Sequence, residues 1–217
     1  MVSYEVIDVL YRSRVTLLEH LESVGYNTTP YSKFSPKEIV EMVKAGPVAG
    51  APPALSMELS KKDDSAPYEK CLVVYTIGKI KQKLNAFTKK IVDPEEGFDP
   101  ATTELIVVTL EPIAPNFHAA SFQLWMADKT KVRYFQAAAI VNNPLKHMLV
   151  PKHEKVPADE EDSLLKSLHA TKAQLPLIRF HEDPIARILG LVPKDIVKIT
   201  RPSLTGGEAV IYRLCVP

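Results

Sequence analysis

Two apolar runs constrain this chain more than any other feature. Cys71-Leu72-Val73-Val74-Tyr75-Thr76-Ile77 and Leu105-Ile106-Val107-Val108-Thr109-Leu110 are both of strand length, and neither alternates with polar residues. A strand without alternation is covered on both faces, as the central strands of a sheet flanked by helices are. Between the runs, Ile80, Leu84, Phe87 and Ile91 fall at i, i+4, i+7 and i+11, which is one face of a helix. Gly78 ends the first run. Asp93-Pro94 closes the helix, because the residue before a proline is driven out of the helical region. A further helix is expected over 116–126 with Asn116 as its cap, and a third strand from Val132 to Val141. The order strand–helix–strand–helix–strand predicts an α/β layer with largely parallel strands.

Ahead of this layer, Ile7, Leu10, Tyr11, Leu17, Leu18 and Leu21 form most of one stripe of a helix over 4–24, with Arg14 as the exception and Gly25 placed for the C-terminal cap. Ser35-Pro36-Lys37-Glu38 has the parts of a capping box: a side-chain acceptor, a proline at the first helical position and a returning glutamate. That helix should stop before Gly46. Residues 46–67 hold Gly46, Pro47, Gly50, Pro52, Pro53 and Pro67 and the run Lys61-Lys62-Asp63-Asp64. No amphipathic period is visible there. The stretch is expected to be a long proline-rich loop or partly disordered insertion, either solvated or partner-binding.

The remainder has the character of a second, smaller domain over 147–217, after a first over 1–143. A short strand is expected near 147–150. A helix over 159–169 has Asp159, Glu160, Glu161 and Asp162 at its positive end and Leu164, Leu165 and Leu168 inward. Asp183 is placed to cap a helix that starts with Pro184 and ends at Gly190. Residues 195–200 and 208–216 alternate as two strands, joined through Thr205-Gly206-Gly207.

The net charge is +1, with 16 Lys and Arg against 17 Asp and Glu over residues 1–143. Strong autonomous binding to nucleic acid, which needs many neutralised phosphates, is therefore not expected. Two cysteines, Cys71 and Cys215, allow one disulfide, but the start of the chain has no secretory pattern, and no apolar stretch approaches the ~18 residues of a membrane span. The cytosol or nucleus is the expected compartment, without membrane association.

Every catalytic constellation in the chain is incomplete. His147 and His153 are the only near pair of histidines, and no cysteine or carboxylate pair completes a metal set at ligand spacing. Thr205-Gly206-Gly207 lacks the lysine and the helix of a phosphate loop. The acids Asp93, Glu95, Glu96, Asp99 and Glu104 precede a strand, as acids that hold Mg²⁺ for phosphodiester cleavage do, but Leu105–Leu110 has no ionisable residue to complete such a site. A solvated turn is the alternative for them. No metal and no cofactor is expected. Lys79, Lys81, Lys83, Lys89 and Lys90 lie within twelve residues that contain no acid, on the outer side of the expected middle helix. They suit a phosphate backbone, or simply a solvated face.

The last third carries a resemblance. Leu149-Val150-Pro151-Lys152-His153, Gln174-Leu175-Pro176 with Ile178-Arg179, Asp183-Pro184-Ile185-Ala186-Arg187, Gly190-Leu191, Asp195-Ile196-Val197-Lys198-Ile199 with Arg201, Ser203-Leu204-Thr205-Gly206 and Tyr212-Arg213 resemble the C-terminal module of the fifth subunit shared by eukaryotic nuclear RNA polymerases. Archaea carry this module by itself, as a short polymerase subunit with no counterpart of residues 1–146. Tyr11-Arg12, Gly25-Tyr26 and Phe135 through Val141 are similar in kind and place to the eukaryotic subunit, and Ile113-Ala114-Pro115-Asn116 falls where the family has a turn of Leu/Ile-Thr-Pro-Ser/Ala. The chain departs from the pattern at Ala114, in the proline-rich stretch, and at Lys194-Asp195, where the family has glycine and an acid. Either that turn differs or Lys194 takes an uncommon backbone conformation.

The resemblance implies a two-domain α+β protein without catalytic residues of its own. It implies an N-terminal jaw domain with a restriction-endonuclease-like α/β core lacking a metal site, and a small mixed α+β assembly domain at the C-terminus. The implied partners are the largest RNA polymerase subunit, other polymerase subunits, and downstream duplex DNA, touched weakly and without sequence specificity. The implied place is the nucleus, with the nucleolus open as a sub-compartment. Pro115 and Asn116, with Lys79, Lys81 and Lys83, are the candidate DNA-proximal residues. His153, Arg179, Arg201 and Arg213 are the candidate docking residues, although Arg213 has an equal alternative in pairing with an acid such as Asp195. Two other readings stay beside this one: a stand-alone nuclease-like phosphodiesterase on the same core, and a free interaction protein using the same docking module.

Overall fold

A computed structural model describes residues 3–45, 53–63, 66–93, 97–203 and 206–217. The chain divides into two compact units, Met1–Asn143 and Pro144–Pro217, each with its own four-stranded sheet. It is a mixed α+β protein.

In the first unit the apolar runs become β2 (Lys70–Thr76) and β3 (Thr103–Thr109). They are parallel to each other and to β4 (Val132–Gln136), with Val74, Val107 and Tyr134 in one row and Tyr75, Val108 and Phe135 in the next. The helices α3 (Leu84–Ile91) and α4 (Pro115–Asp128) make the crossovers. Leu84, Phe87, Ile91, Phe117, Ala120 and Leu124 join Val74, Val107 and Tyr134 in one core, so both helices cover the same face of the sheet. The other face meets α1 (Tyr4–Val24), which Ser3 caps at its start and Gly25 ends at φ 105°. Ser13 and Arg14 of α1 lie beside the buried Tyr75 side chain.

Arg14 explains its own exception in the α1 stripe. It is 3% exposed, its Nη1 donates to Leu55 O at 2.7 Å, and its guanidinium lies over the rings of Phe34 and Tyr31. Leu55 ends a 3-10 turn (Pro53–Leu55) that leads into β1 (Met57–Ser60), antiparallel to β2. The expectation of a loop through 46–67 is therefore corrected at 57–60. Met57 and Leu59 are fully buried while Glu58 and Ser60 face out, a period of two too short to register among the prolines. Residues 46–52 and 64–65 lie outside the described residues. The helix α2 (Pro36–Lys44) closes its capping box as expected: Ser35 N donates to Glu38 Oε2 at 2.6 Å, and Glu38 N to Ser35 Oγ at 3.4 Å. The third strand is shorter than expected, because Ala137–Ile140 turn into a 3-10 helix.

In the second unit the sheet runs β5 (Lys152–Lys155), β7 (Ile196–Ser203), β8 (Gly207–Val216), β6 (Leu177–Arg179); β6 is parallel to β8 and the other pairs are antiparallel. The first strand lies beyond Pro151, not at 147–150, where a turn from Val150 N to His147 O leaves Met148 91% exposed. The helix α5 (Ala158–Ser167) seats Leu164 and Leu165 on Val156, Leu175 and Ile196, a cluster that Tyr212 and Leu214 also cover. Leu168, expected inward, caps the helix and is exposed. The helix α6 (Pro184–Leu189) has the expected ends. Asp183 Oδ1 accepts from Ile185 N at 2.8 Å and Ala186 N at 3.1 Å, and Gly190 sits at φ 63°. Lys194 stands at φ 83°, so of the two expected alternatives it takes the uncommon backbone conformation, and the residue is strained. Cys71 and Cys215 are both free and buried. Among the described residues no helix is long and apolar enough to cross a membrane.

Candidate nucleic-acid and docking interfaces

The basic segment is not helical where most of its lysines lie. Lys79, Lys81 and Lys83 are exposed on the loop between β2 and α3, and only Lys89 and Lys90 are on the helix. Ile80 keeps the helical spacing and is buried, but its backbone is held in a turn from the outside. Glu111 Oε2 accepts from Ile80 N at 2.7 Å and from Lys81 N at 3.0 Å. Glu111 is itself fixed just past β3, where its N donates to Thr109 Oγ1. This glutamate was not among the expected site residues, although an acid two residues after a buried strand is a position from which a neighbouring loop can be gripped.

Asn116 is not the cap of α4. Pro115 takes the first helical position, so Ala114 stands at the cap with no side chain to offer. This frees the Asn116 amide to donate to Lys81 O at 3.0 Å. Two of the candidate sets, Pro115–Asn116 and the lysine loop, are thus brought together at the C-terminal end of the parallel strands. That end is where open α/β sheets bind their ligands.

The acid group behaves differently from either expectation. Glu104 is neither in a solvated turn nor open to a cation: it lies in β3 and is completely buried. Its Oε1 accepts from Tyr26 Oη at 2.9 Å and from Arg133 Nη2 at 3.0 Å, and Lys131 Nζ is 3.3 Å from Oε2. Burial alone would raise its pKa, but Arg133, Lys131 and the Tyr26 hydroxyl hold it at about 2. Two protein cations and a hydroxyl already balance this carboxylate. Asp99 spends its oxygens on Ala101 N and Thr102 Oγ1, and Glu95 and Glu96 lie outside the described residues. Among the described residues no three His, Cys, Asp or Glu side chains cluster in a way that would hold a metal.

In the second unit the register sorts the candidate docking residues. His153 is opposite Ile199 on β7, Arg201 is two residues further on, and Arg213 is opposite Val197, so these three share one face. Arg179 pairs with Val216 and therefore faces the other way, where it bridges Glu182 at 2.9 Å. The structure does not unite the four. Arg213 donates to Leu177 O at 3.3 Å, and Asp195 instead accepts from Lys155 Nζ and Val192 N, both at 2.8 Å; the Arg213–Asp195 alternative is corrected. His153 Nδ1 is 2.6 Å from Pro151 O.

Residues 142–215 match the family described as RNA polymerase Rpb5, C-terminal domain. The subunit rpabc1 of DNA-directed RNA polymerases I, II, and III from Dictyostelium discoideum is 32% identical over 213 residues, which is 98% of this chain and all of that protein. This chain belongs to the RNA polymerase Rpb5 family.

Other members of the Rpb5 family fall into two lengths. The RPABC1 subunit of Caenorhabditis elegans is 28% identical and, like this chain, is covered over 95% of its length. The Rpo5 subunit of Archaeoglobus fulgidus is 59% identical over 70 residues, which is 91% of that protein but 32% of this chain. The C-terminal unit is thus the part held in common with the archaeal Rpb5 relatives, and the eukaryotic relatives extend over the N-terminal unit as well.

Proposed function

We propose that this protein is a subunit of nuclear DNA-directed RNA polymerase that works by placement and has no chemistry of its own. The reading rests first on family membership over nearly the whole chain, including relatives named as shared subunits of polymerases I, II and III. The C-terminal unit acts as the assembly domain and docks on the largest subunit through the face that carries His153, Arg201 and Arg213. Arg179 contributes from the opposite face, near the Glu182 turn. The N-terminal unit acts as a jaw with a restriction-endonuclease-like core and lies beside downstream duplex.

The juxtaposition of Asn116 with the Lys79–Lys83 loop carries the nucleic-acid part of this reading. Three exposed lysines, fixed by Glu111 and Asn116, touch phosphates without reading bases. Permanent docking raises the effective concentration of DNA at the loop, so weak contacts suffice and a near-neutral chain can serve. The test is affinity purification from nuclear extract. Stoichiometric recovery with a whole polymerase is the expected result; recovery with unrelated factors only would favour a free interaction protein, and divalent-metal-dependent cleavage by the purified chain would favour a phosphodiesterase.

A further inference from the structure

The helices α3 and α4 do not close on each other along their outer edge. A depression of about 450 Å³ is bounded by Lys81, Lys83, Asn85, Ala86, Asn116 and Gln123. A second, lined by Thr88, Lys89 and Ala127 among others, shares Asn85, Ala120 and Gln123 with the first, so the two form one groove. Small residues are prominent in its lining: Ala86 on α3 and Ala119, Ala120 and Ala127 on α4. From Asn116 to Asp128 it runs ~18 Å along the helix, the length of five or six extended residues.

The lining has a distinct chemistry. Three lysines, Lys81, Lys83 and Lys89, stand along it, and the one carboxylate, Asp128, is at the far end. The lysines ask for an anion. The carboxamides of Asn85, Asn116 and Gln123 say which kind, because each carries an acceptor as well as a donor. At Asn116 one of the two amide N–H donors is engaged with Lys81 O, and the acceptor oxygen Oδ1 faces a partner that must itself donate. A phosphodiester backbone has only acceptors and cannot use that atom; a peptide backbone has N–H groups that can.

We propose that the α3–α4 groove binds an extended acidic peptide segment of a protein partner. Its main chain pairs with Asn85, Asn116 and Gln123, and its carboxylates meet Lys81, Lys83 and Lys89. This goes beyond the jaw reading and does not depend on it. Because Lys81, Lys83 and Asn116 belong to both surfaces, an occupied groove withdraws those groups from DNA.

The test uses the full-length chain and fluorescence anisotropy with three labelled probes: a dodecapeptide of alternating Asp and Ala, the matching Asn and Ala peptide, and a twelve-nucleotide oligothymidine. The acidic peptide should bind about tenfold more tightly than either control, and the Asn85→Ala/Gln123→Ala double variant should lose about tenfold. Ala86→Trp, which fills the groove without changing charge, should abolish binding, while Lys90→Gln, on α3 but outside the groove, should leave it within about twofold. Thermal melting of each variant separates lost binding from lost folding. The proposal is overturned by no peptide binding at millimolar concentration, by equal losses from Lys89→Gln and Lys90→Gln, or by tighter binding of oligothymidine. The last result would make the groove a single-strand track. None of these outcomes bears on whether the chain purifies with polymerase.

Discussion

Arg133 Nη2 lies 3.0 Å from Glu104 Oε1 in the interior of the first unit, with both side chains buried. A buried pair of this kind is a poor source of net stability, yet breaking it strands a charge. Arg133→Met should therefore cost about 3–5 kcal/mol in urea unfolding, far more than an exposed pair such as Lys44 with Glu41.

The same cluster sets an acid limit. The folded-state pKa of Glu104 is about 2 against an ordinary 4.5, so the folded state binds its proton less readily than the unfolded chain. The stabilisation is present above pH 4.5 and is lost as pH falls towards 2, and its size is on the order of 3 kcal/mol. Unfolding free energy measured from pH 5 to 2.5 should fall more steeply for the natural chain than for Glu104→Gln. Parallel curves would mean that the carboxylate is not the titrating group.

Lys194 at φ 83° offers the opposite sign. A side chain in the left-handed region costs about 1–2 kcal/mol, partly offset by the greater freedom that glycine has in the unfolded chain. Lys194→Gly should raise stability by about 0.5–1 kcal/mol in denaturant titration. Its backbone hydrogen bonds, Lys194 N to Cys215 O and Lys172 Nζ to Lys194 O, do not involve the side chain that is removed.

The α6 helix has only six residues, so its ends matter more than its length. Asp183→Ala removes the acceptor of two backbone amides and should cost about 1–2 kcal/mol. Pro184→Ala combined with Gly190→Val should weaken both the fold of the second unit and recovery with polymerase subunits. Normal assembly of that double variant would break the link between this helix and docking.

What could be read from the residues followed the range of the forces involved. The runs that became β2 and β3 were legible because burial on both faces is written into consecutive residues, and the ends of α1, α2 and α6 because caps are local. The start of α3 was not, since Ile80 has helical spacing but its turn is imposed by Glu111, 31 residues away. Glu104 looked like part of an acidic turn because its partners, Tyr26, Lys131 and Arg133, come from elsewhere in the fold. The β1 strand was hidden by its brevity, two buried residues between prolines. At the candidate interface the lysines and Asn116 were each legible, but their hydrogen bond was not, since it exists only because Pro115 shifts the cap to Ala114. The alternation of β8 and β6 that separates Arg179 from Arg213 needs the register, which sequence spacing alone does not provide.

The lysine loop combines positive charge with a fixed backbone, and mutation can separate the two. Replacing Lys79, Lys81 and Lys83 by Gln should reduce retention of duplex by the assembled enzyme and make that retention less salt-sensitive, by up to about 0.9 in the log–log slope for each phosphate no longer neutralised. The isolated chain, with no docking to concentrate DNA, should show no comparable change. Glu111→Ala leaves every lysine in place but removes the acceptor that fixes Ile80 N and Lys81 N. If fixed geometry matters, it should also reduce retention, with little change in salt slope. Filter binding of assembled enzyme over a salt series distinguishes the two effects: loss of charge changes the slope, loss of order the intercept. An equal loss in the isolated chain and in the enzyme would remove tethering from the account.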